Sequence, residues 1–564
     1  MEPDQEISAG KGFIMTEKAK KKDVVALDHT MPAINLEQVL TKAERRMIQN
    51  RYISDYVGDA YKGWENGRVV FDAGTGTGKT SFVINQLLPW ALERSKIEGR
   101  LIKILLLCNR TSLKAQSIQK IISSGVGIDL TQCDNLDDID KMELNCSNSH
   151  FIRVWTYQKI EYWQQRKPDW VEKWLDTYTY IVCDEAHYFF ADADFNPTTE
   201  LSLQCIERLV PKKVVIYMSA TANLLFDRWK EDGSLLPDRY YYIPKNYDHI
   251  AKVYFFYRDA ERQDILDHLP PGEKAVVFVT KRDTLVEMKK KYGDSASYYC
   301  SKNHKDGPMD KLEDCINPDG TLRKQILFAT TALYNGVDIK DYALKHLIIE
   351  QWDPLEVIQE IGRKRPLDAA DTCKLYLHGK GKKELLSSFL TVSEKWEPAV
   401  FHRDGGKTWE HYCSLYDIDD RLGKNSVVKF SHKEQAYHLN KMKWTLYNFQ
   451  RDVLWSMYSR LQGYQEVLLE FIDKNLWHRS EPYIMDDLAA YIAKHIGQPM
   501  TKKEIRQNVA MRAQLEAKPG RAKSEGATMA AVEEELKMHN IQIVEYSGRK
   551  HQKGQHQYYT FAEM

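Results

Sequence analysis

Ala73-Gly74-Thr75-Gly76-Thr77-Gly78-Lys79-Thr80 follows the apolar run Val69-Val70-Phe71 and precedes a helical pattern with apolar positions at Phe82, Val83, Leu87 and Leu88. A strand, a glycine-rich turn and a helix start form the setting of a phosphate-binding loop. Its glycines let successive backbone N–H groups curl inward around an anion. The helix that starts there adds the positive end of its dipole. Gly74, Thr75, Gly76, Thr77 and Gly78 would cradle the phosphates, Lys79 would reach the β- and γ-phosphates, and the Thr80 hydroxyl would hold Mg²⁺.

Outward from this loop, apolar runs repeatedly end in polar residues. Ile102 to Leu107 leads to Asn109-Arg110, with Leu113 and Gln116 beyond, and Phe151 to Trp155 leads to Thr156-Tyr157-Gln158. Tyr178 to Cys183 leads to Asp184-Glu185-Ala186-His187, and Val214 to Met218 leads to Ser219-Ala220-Thr221. Helical segments lie between them. This is the pattern of a parallel sheet covered by helices, whose ligands bind outside the carboxyl ends of the strands. A second unit of the same kind begins near Ile250. There Lys274 to Val279 precedes Thr280, Gln325 to Phe328 precedes Ala329-Thr330-Thr331, and His346 to Ile349 precedes Gln359-Glu360-Ile361-Gly362-Arg363-Lys364-Arg365-Pro366. The second unit has no phosphate loop, so it is placed to lend groups to a nucleotide held by the first.

ATP hydrolysis requires a phosphate cradle, Mg²⁺, an oriented water and positive charge on the γ-phosphate in the transition state. Lys79 and Thr80 supply the cradle. Asp184, ending an apolar strand, would hold Mg²⁺. Glu185 would orient and deprotonate the water. Arg363 would act as an arginine finger from the second unit.

Over residues 40 to 385 this order of motifs resembles a DEAH-type superfamily 2 helicase motor. Ala73, where the simple loop pattern has glycine, suits that superfamily. The Asn109-Arg110 and Thr156-Tyr157-Gln158 segments look most like the motors of type I and type III restriction enzymes and related DNA helicases. The resemblance implies that Gln49, in Arg46-Met47-Ile48-Gln49, reads the adenine edge. It implies a groove for one nucleic-acid strand lined by Arg110, Thr156, Thr280 and Thr330. It implies that His187, Ser219 and Thr221 couple hydrolysis to the second domain, from which Gly336, Asp338 and Gln359 face the nucleotide. The family usually carries a second Arg three residues after the finger. Here Pro366 holds that position, so either Arg365 substitutes or the contact is missing.

The expected architecture is α/β, with two RecA-like domains at 36–245 and 246–390. A loose tail at 1–35, a helical region at 391–480 and a module at 481–564 flank them. That last module has the order of a winged helix, with three helices and then a hairpin whose tip is basic through Arg549, Lys550, His551, Lys553 and His556. Glu533-Glu534-Glu535 on its third helix suits a major groove poorly, so protein interaction and DNA binding both stay open. The aromatics Trp444, Tyr447, Phe449, Trp455 and Tyr458 read as core more readily than as a stacking platform.

Composition narrows the classes. The 564 residues carry 80 basic and 80 acidic side chains, so a nucleic-acid site must be a local groove and not a basic surface. No stretch is apolar enough to span a bilayer. The nine cysteines are scattered, which reads as reduced thiols in a cytoplasmic protein. Cys133 and Cys146 do not supply the four ligands of an iron–sulfur cluster. No nuclease motif is evident. The expected activity is that of an ATP-dependent, Mg²⁺-dependent helicase or translocase acting on nucleic acid, with DNA favoured over RNA. The alternatives are a non-unwinding ATPase switch working with a protein partner, and an RNA helicase.

Overall fold

The computed structural model of the chain describes residues 52–124, 151–300, 309–334, 337–415, 426–431, 435–515, 527–546 and 558–564. The N-terminal tail, Gln49, Cys133, Cys146, Gly336 and the basic hairpin tip lie outside the described residues.

The first sheet is built from β1 (Gly67–Ala73), β2 (Ile104–Cys108), β3 (Ile152–Thr156), β4 (Tyr180–Asp184), β5 (Val214–Ser219) and β6 (Tyr240–Ile243). Their order across the sheet is β3-β2-β4-β5-β1-β6, and every pairing is parallel. Parallel strands covered on both faces read as continuous apolar runs, and β2, β4 and β5 are buried along their whole length. Successive residues of β1 serve opposite faces. Val69 and Phe71 pack with Phe82, Val83 and Leu87, whereas Val70 packs with Leu105, Ile181 and Tyr217. Register aligns the carboxyl ends, with Asp72 beside Ser219 and Asp184 beside Met218. The phosphate loop, the Asp184-Glu185 pair and the Ser219 segment therefore emerge side by side.

The helix after the loop is α-helical over Lys79–Phe82, π-wound over Val83–Leu87 and α-helical again over Leu88–Glu98. Pro89 lacks an N–H to donate into the preceding turn, and the widened winding falls just before it.

The second sheet contains β7 (Ile250–Phe256), β8 (Lys274–Phe278), β9 (Ala296–Tyr299), β10 (Ile326–Ala329), β11 (Leu344–Ile349) and β12 (Cys373–His378). After the small hairpin β13 (Val428–Ser431) and β14 (Ala436–Leu439), β15 (Ser480–Pro482) returns to this sheet. The order is β15-β7-β12-β11-β8-β10-β9, all parallel. Two RecA-like parallel sheets, each packed between helices, make the α/β class plain.

The expected borders are less clean in space than in sequence. One helix, Lys382–Asp404, runs through residue 390, and β15 straddles residue 480 as an edge of the second sheet. The helix Lys441–Ser459 joins both cores. Its Met442 and Leu446 belong to the first domain's core, and its Tyr447, Val453, Leu454 and Met457 to the second's. Trp444, Phe449 and Tyr458 are also packed against the second core, while Trp455 stays exposed.

The C-terminal module shows the helices Asp486–His495, Lys502–Arg512 and Met529–Met538, then the antiparallel β16 (Ile541–Glu545) and β17 (Tyr559–Glu563). Thr501 and Glu504 cap the second helix reciprocally, as their spacing predicts. Of the acidic run, Glu535 is buried. It pairs with Arg258 of the second domain and with His539. That face of the third helix is therefore spent on docking to the motor. No described helix is long and apolar enough to cross a membrane.

Candidate active site

The loop between β1 and its helix has the shape its glycines permit. Gly76 and Gly78 adopt φ of 82° and 78°, the left-handed region that side chains resist. The Thr77 hydroxyl donates to the Gly74 carbonyl at 2.8 Å, and the Lys79 ammonium donates to the carbonyls of Ala73 and Gly74, both at 2.8 Å. Lys79 thus folds back along the loop, its charge beside the space the loop encloses. Just upstream, Ile53 N–H donates to Thr77 O at 2.9 Å, and the Tyr52 ring lies against Gly78.

Asp184 and Glu185 face this loop from the end of β4. Glu185 itself has a φ of 53°, a strained conformation for a residue with a side chain. Two adjacent carboxylates in a buried place do not titrate alike. Burial, then the neighbouring Glu185 charge, pushes Asp184 upward. Burial also works against the Glu185 charge, but the His187 hydrogen bond and the charges of His187, Lys79 and Arg363 outweigh it, and its pKa falls. Lys79 is pushed down by burial, with Glu185 and Asp184 opposing. A glycine-rich loop at a helix start with a buried carboxylate beside it has the chemistry to accept phosphates and their cation, for which Asp184 and Thr80 would be the ligands.

His187 links this pair to β5. Its Nδ1 lies 3.2 Å from Glu185 Oε2 and 3.1 Å from Ser219 Oγ, and Ser219 Oγ accepts from Thr221 N–H at 3.1 Å. The Thr221 hydroxyl accepts from Gln359 Nε2 of the second domain at 2.8 Å. The segments expected to couple the domains are therefore in contact.

The second domain closes on the loop through the turn after the helix Pro354–Ile361. A Cβ added to Gly362 would lie 2.8 Å from Thr75 Oγ1 and 2.9 Å from Thr75 Cγ2, so only glycine fits against the loop there. Arg363 is 3% exposed; its Nε donates to the Gln359 carbonyl at 3.1 Å, and its charge reaches Glu185. Arg365 donates from Nε to Asp338 Oδ1 at 2.9 Å, and its guanidinium lies over Gly76. Despite Pro366, both arginines face the loop. We expect Gly362→Ala to lower turnover about tenfold, since overpacking a close contact costs ~1–3 kcal/mol. Thr75→Ala in the same protein removes both clashing atoms and should restore most of the rate. Steady-state ATPase of the single and double variants checks this.

The four residues expected to grip nucleic acid all sit at strand ends: Arg110 beyond β2, Thr156 ending β3, Thr280 beyond β8 and Thr330 beyond β10. Thr280 is exposed, and Thr156 and Thr330 are half-buried. Arg110 is held by Asp192 at 2.6 Å, in the turn that follows the Asp-Glu-Ala-His box. Sequence reasoning missed the ties behind this row. Tyr157 Oη donates to the Asp184 carbonyl at 2.8 Å, and Gln158 Nε2 donates to the Asn109 carbonyl at 2.9 Å. The segments after β2 and β3 are thus joined to each other and to the backbone at the end of β4. The only sequence signal was that Tyr157 and Gln158 follow a buried strand.

Residues 35–224 match the family model described as the type III restriction enzyme, res subunit. Among curated proteins none matches the chain significantly. Among solved structures, S. cerevisiae Dbp5 bound to RNA and ADP BeF3 is 18% identical, with 57% of this chain and 82% of that chain covered and a TM-score of 0.40. The DEAD-box helicase Mss116 bound to ssRNA and UDP-BeF is 15% identical, with 64% and 76% covered and a TM-score of 0.44. The Mycobacterium smegmatis helicase Lhr bound to ssDNA and AMP-PNP is 13% identical, with 72% and 59% covered and a TM-score of 0.39. The family match spans the phosphate loop, the Asp-Glu-Ala-His box and the Ser-Ala-Thr segment, all within the first of the two parallel-sheet domains.

Proposed function

We propose that the protein is a DEAH-type, nucleic-acid-stimulated ATPase that converts hydrolysis into movement along a strand, with DNA as its track. The observation that carries this is the closure of the second domain on the phosphate loop: Gly362 against Thr75, Gln359 on Thr221, and Arg363 within reach of Glu185. A motor needs a site whose completeness depends on the distance between two domains, and this arrangement provides one.

In this reading the loop from Gly74 to Gly78 and Lys79 bind the phosphates of ATP, and Thr80 and Asp184 hold Mg²⁺, which neutralises phosphate charge when bound. Glu185 takes the proton of the attacking water. Its lowered pKa keeps it ionised and ready. Phosphate charge beside Lys79 and Arg363 weakens their pull on Glu185, so its basicity rises when the site is filled. Asp338 orients Arg365. Arg110, Thr156, Thr280 and Thr330 grip one strand without reading bases. The preference for DNA rests on the likeness to restriction-enzyme motor subunits.

Glu185→Gln should keep ATP binding and lower turnover by about two orders of magnitude or more, the range of a general base. The variant should also hold nucleic acid in an ATP-dependent manner. Hydrolysis measured with single- and double-stranded DNA and RNA tests the reading itself. Stimulation by DNA and strand displacement support it; stimulation by RNA alone makes the protein an RNA motor; no stimulation by either removes the nucleic-acid reading.

A further inference from the structure

The helix Lys441–Ser459 lies beyond the motor motifs, yet it is fastened to both domains. Asn440 caps it by accepting from Lys443 N–H at 2.9 Å, and its side chain donates to the Pro197 carbonyl of the first domain at 3.4 Å. Lys441 N–H donates to Glu200 at 3.0 Å. Three groups of the C-terminal region converge on Asp194, in the turn after the Asp-Glu-Ala-His box. The Tyr447 hydroxyl donates to Oδ1, Lys395 lies 3.2 Å from Oδ2, and the wholly buried Lys443 lies 4.0 Å from Oδ1. These contacts seat the helix on the first domain.

One turn later the same helix grips the second domain. Gln450 Nε2 donates to Asp353 Oδ2 at 2.9 Å. The other Asp353 oxygen accepts from Leu355 N–H at 2.9 Å and caps the helix Pro354–Ile361. That helix carries Gln359 and runs directly into Gly362 and Arg363. Asp353 is buried. Burial drives its carboxyl pKa upward, and the Gln450 amide leads the groups that oppose this.

We propose that Gln450 is a positioning residue for the arginine finger. Its amide holds the carboxylate that caps the finger helix, and so fixes where that helix begins relative to the first domain. The inference rests on the ATPase reading above. From Asp353 to Arg363 is roughly 15 Å of nearly continuous helix, so a tilt at the cap reappears as a displacement at the guanidinium. Rate is sensitive to such displacements, because an arginine finger acts only when its charge meets the transition state in place.

The test exchanges donor and acceptor. Gln450→Glu sets a second carboxylate against Asp353. Asp353→Asn with Gln450→Glu restores one amide and one carboxylate across the same contact, and Asn caps a helix about as well as Asp. We expect Gln450→Glu to lower kcat about tenfold while the ATP Kd, from calorimetry, stays within about twofold. The double variant should return to within about threefold of the native rate. Gln450→Leu, which removes the donor without adding charge, should show the same split between kcat and Kd and serves if Gln450→Glu folds poorly. A contact that is only structural would lower the melting temperature of the variants without that split or that rescue. Unchanged kcat in folded Gln450→Glu and Gln450→Leu overturns the proposal, as does a double variant no faster than Gln450→Glu. Absence of ATP hydrolysis by the native protein, with or without nucleic acid, overturns the ATPase reading instead.

Discussion

Arg363→Ala should leave the ATP dissociation constant within a few-fold of native and lower turnover by roughly three orders of magnitude or more, as loss of an arginine finger does elsewhere. Arg363 belongs to the second domain, is buried, and is aimed by its own helix through the Gln359 carbonyl. Its Nε is bonded within its own helix and not to the phosphate loop, so binding should survive its loss. In the transition state it meets charge developing on the γ-phosphate, where preorganised donors contribute most. Stimulation by nucleic acid should vanish too, since it acts by favouring closure. Arg365→Ala is the informative companion. Arg365 lies nearer the loop, over Gly76, but it is tied to Asp338. If Arg365→Ala slows hydrolysis more than Arg363→Ala, Arg365 is the finger, and Pro366 has shifted the register by one position. If neither slows it, the two domains do not share the nucleotide. Single-turnover hydrolysis with a separate binding measurement distinguishes these cases.

Lys79→Ala should reduce hydrolysis to background and weaken ATP binding. The effect has two sources. In the proposed reading the ammonium meets the β- and γ-phosphates. It also braces the loop through the Ala73 and Gly74 carbonyls, so its removal loosens the cradle. Arg365 is a poor substitute, because its guanidinium is engaged by Asp338. Calorimetry with ATP and a turnover assay on the folded variant check this. Near-native turnover would remove the central assignment, whatever the other motifs suggest.

These two predictions depend on parts of the site that differed in how far they could be read from sequence. The positions of Lys79, Asp184 and Glu185 in the fold were legible because local sequence fixes them: a glycine turn before a helix, and an acidic pair ending a buried strand. The strands from β1 to β5 were legible for a related reason, since a strand buried on both faces is an apolar run that stops at polar residues. β6, with Tyr240, Tyr241 and Tyr242, and β15, with Ser480, Glu481 and Pro482, carry no such signal; they are strands because of what they lie beside. The contacts of Gly362 with Thr75, Arg365 with Asp338 and Gln450 with Asp353 were illegible for the same reason. Each joins separate segments of the chain, and only the folded arrangement brings them together. Glu535 shows the converse. Its acidic run spoke only against a major groove, yet Glu535 is buried, where pairing with Arg258 and His539 offsets the cost of burying it.

The late return of β15 has a consequence for how the chain is made. Ser480 pairs with Val253, so the second sheet keeps β7 as an open margin until the C-terminal region has been synthesised. Such non-local pairing slows folding, and an uncovered strand margin invites pairing with other chains meanwhile. A chain that stops near residue 390, where the recognisable motor ends, would retain every catalytic motif and still expose that margin permanently. Its aggregation would then reflect an unfinished sheet, and its loss of activity would say nothing about the chemistry of the site.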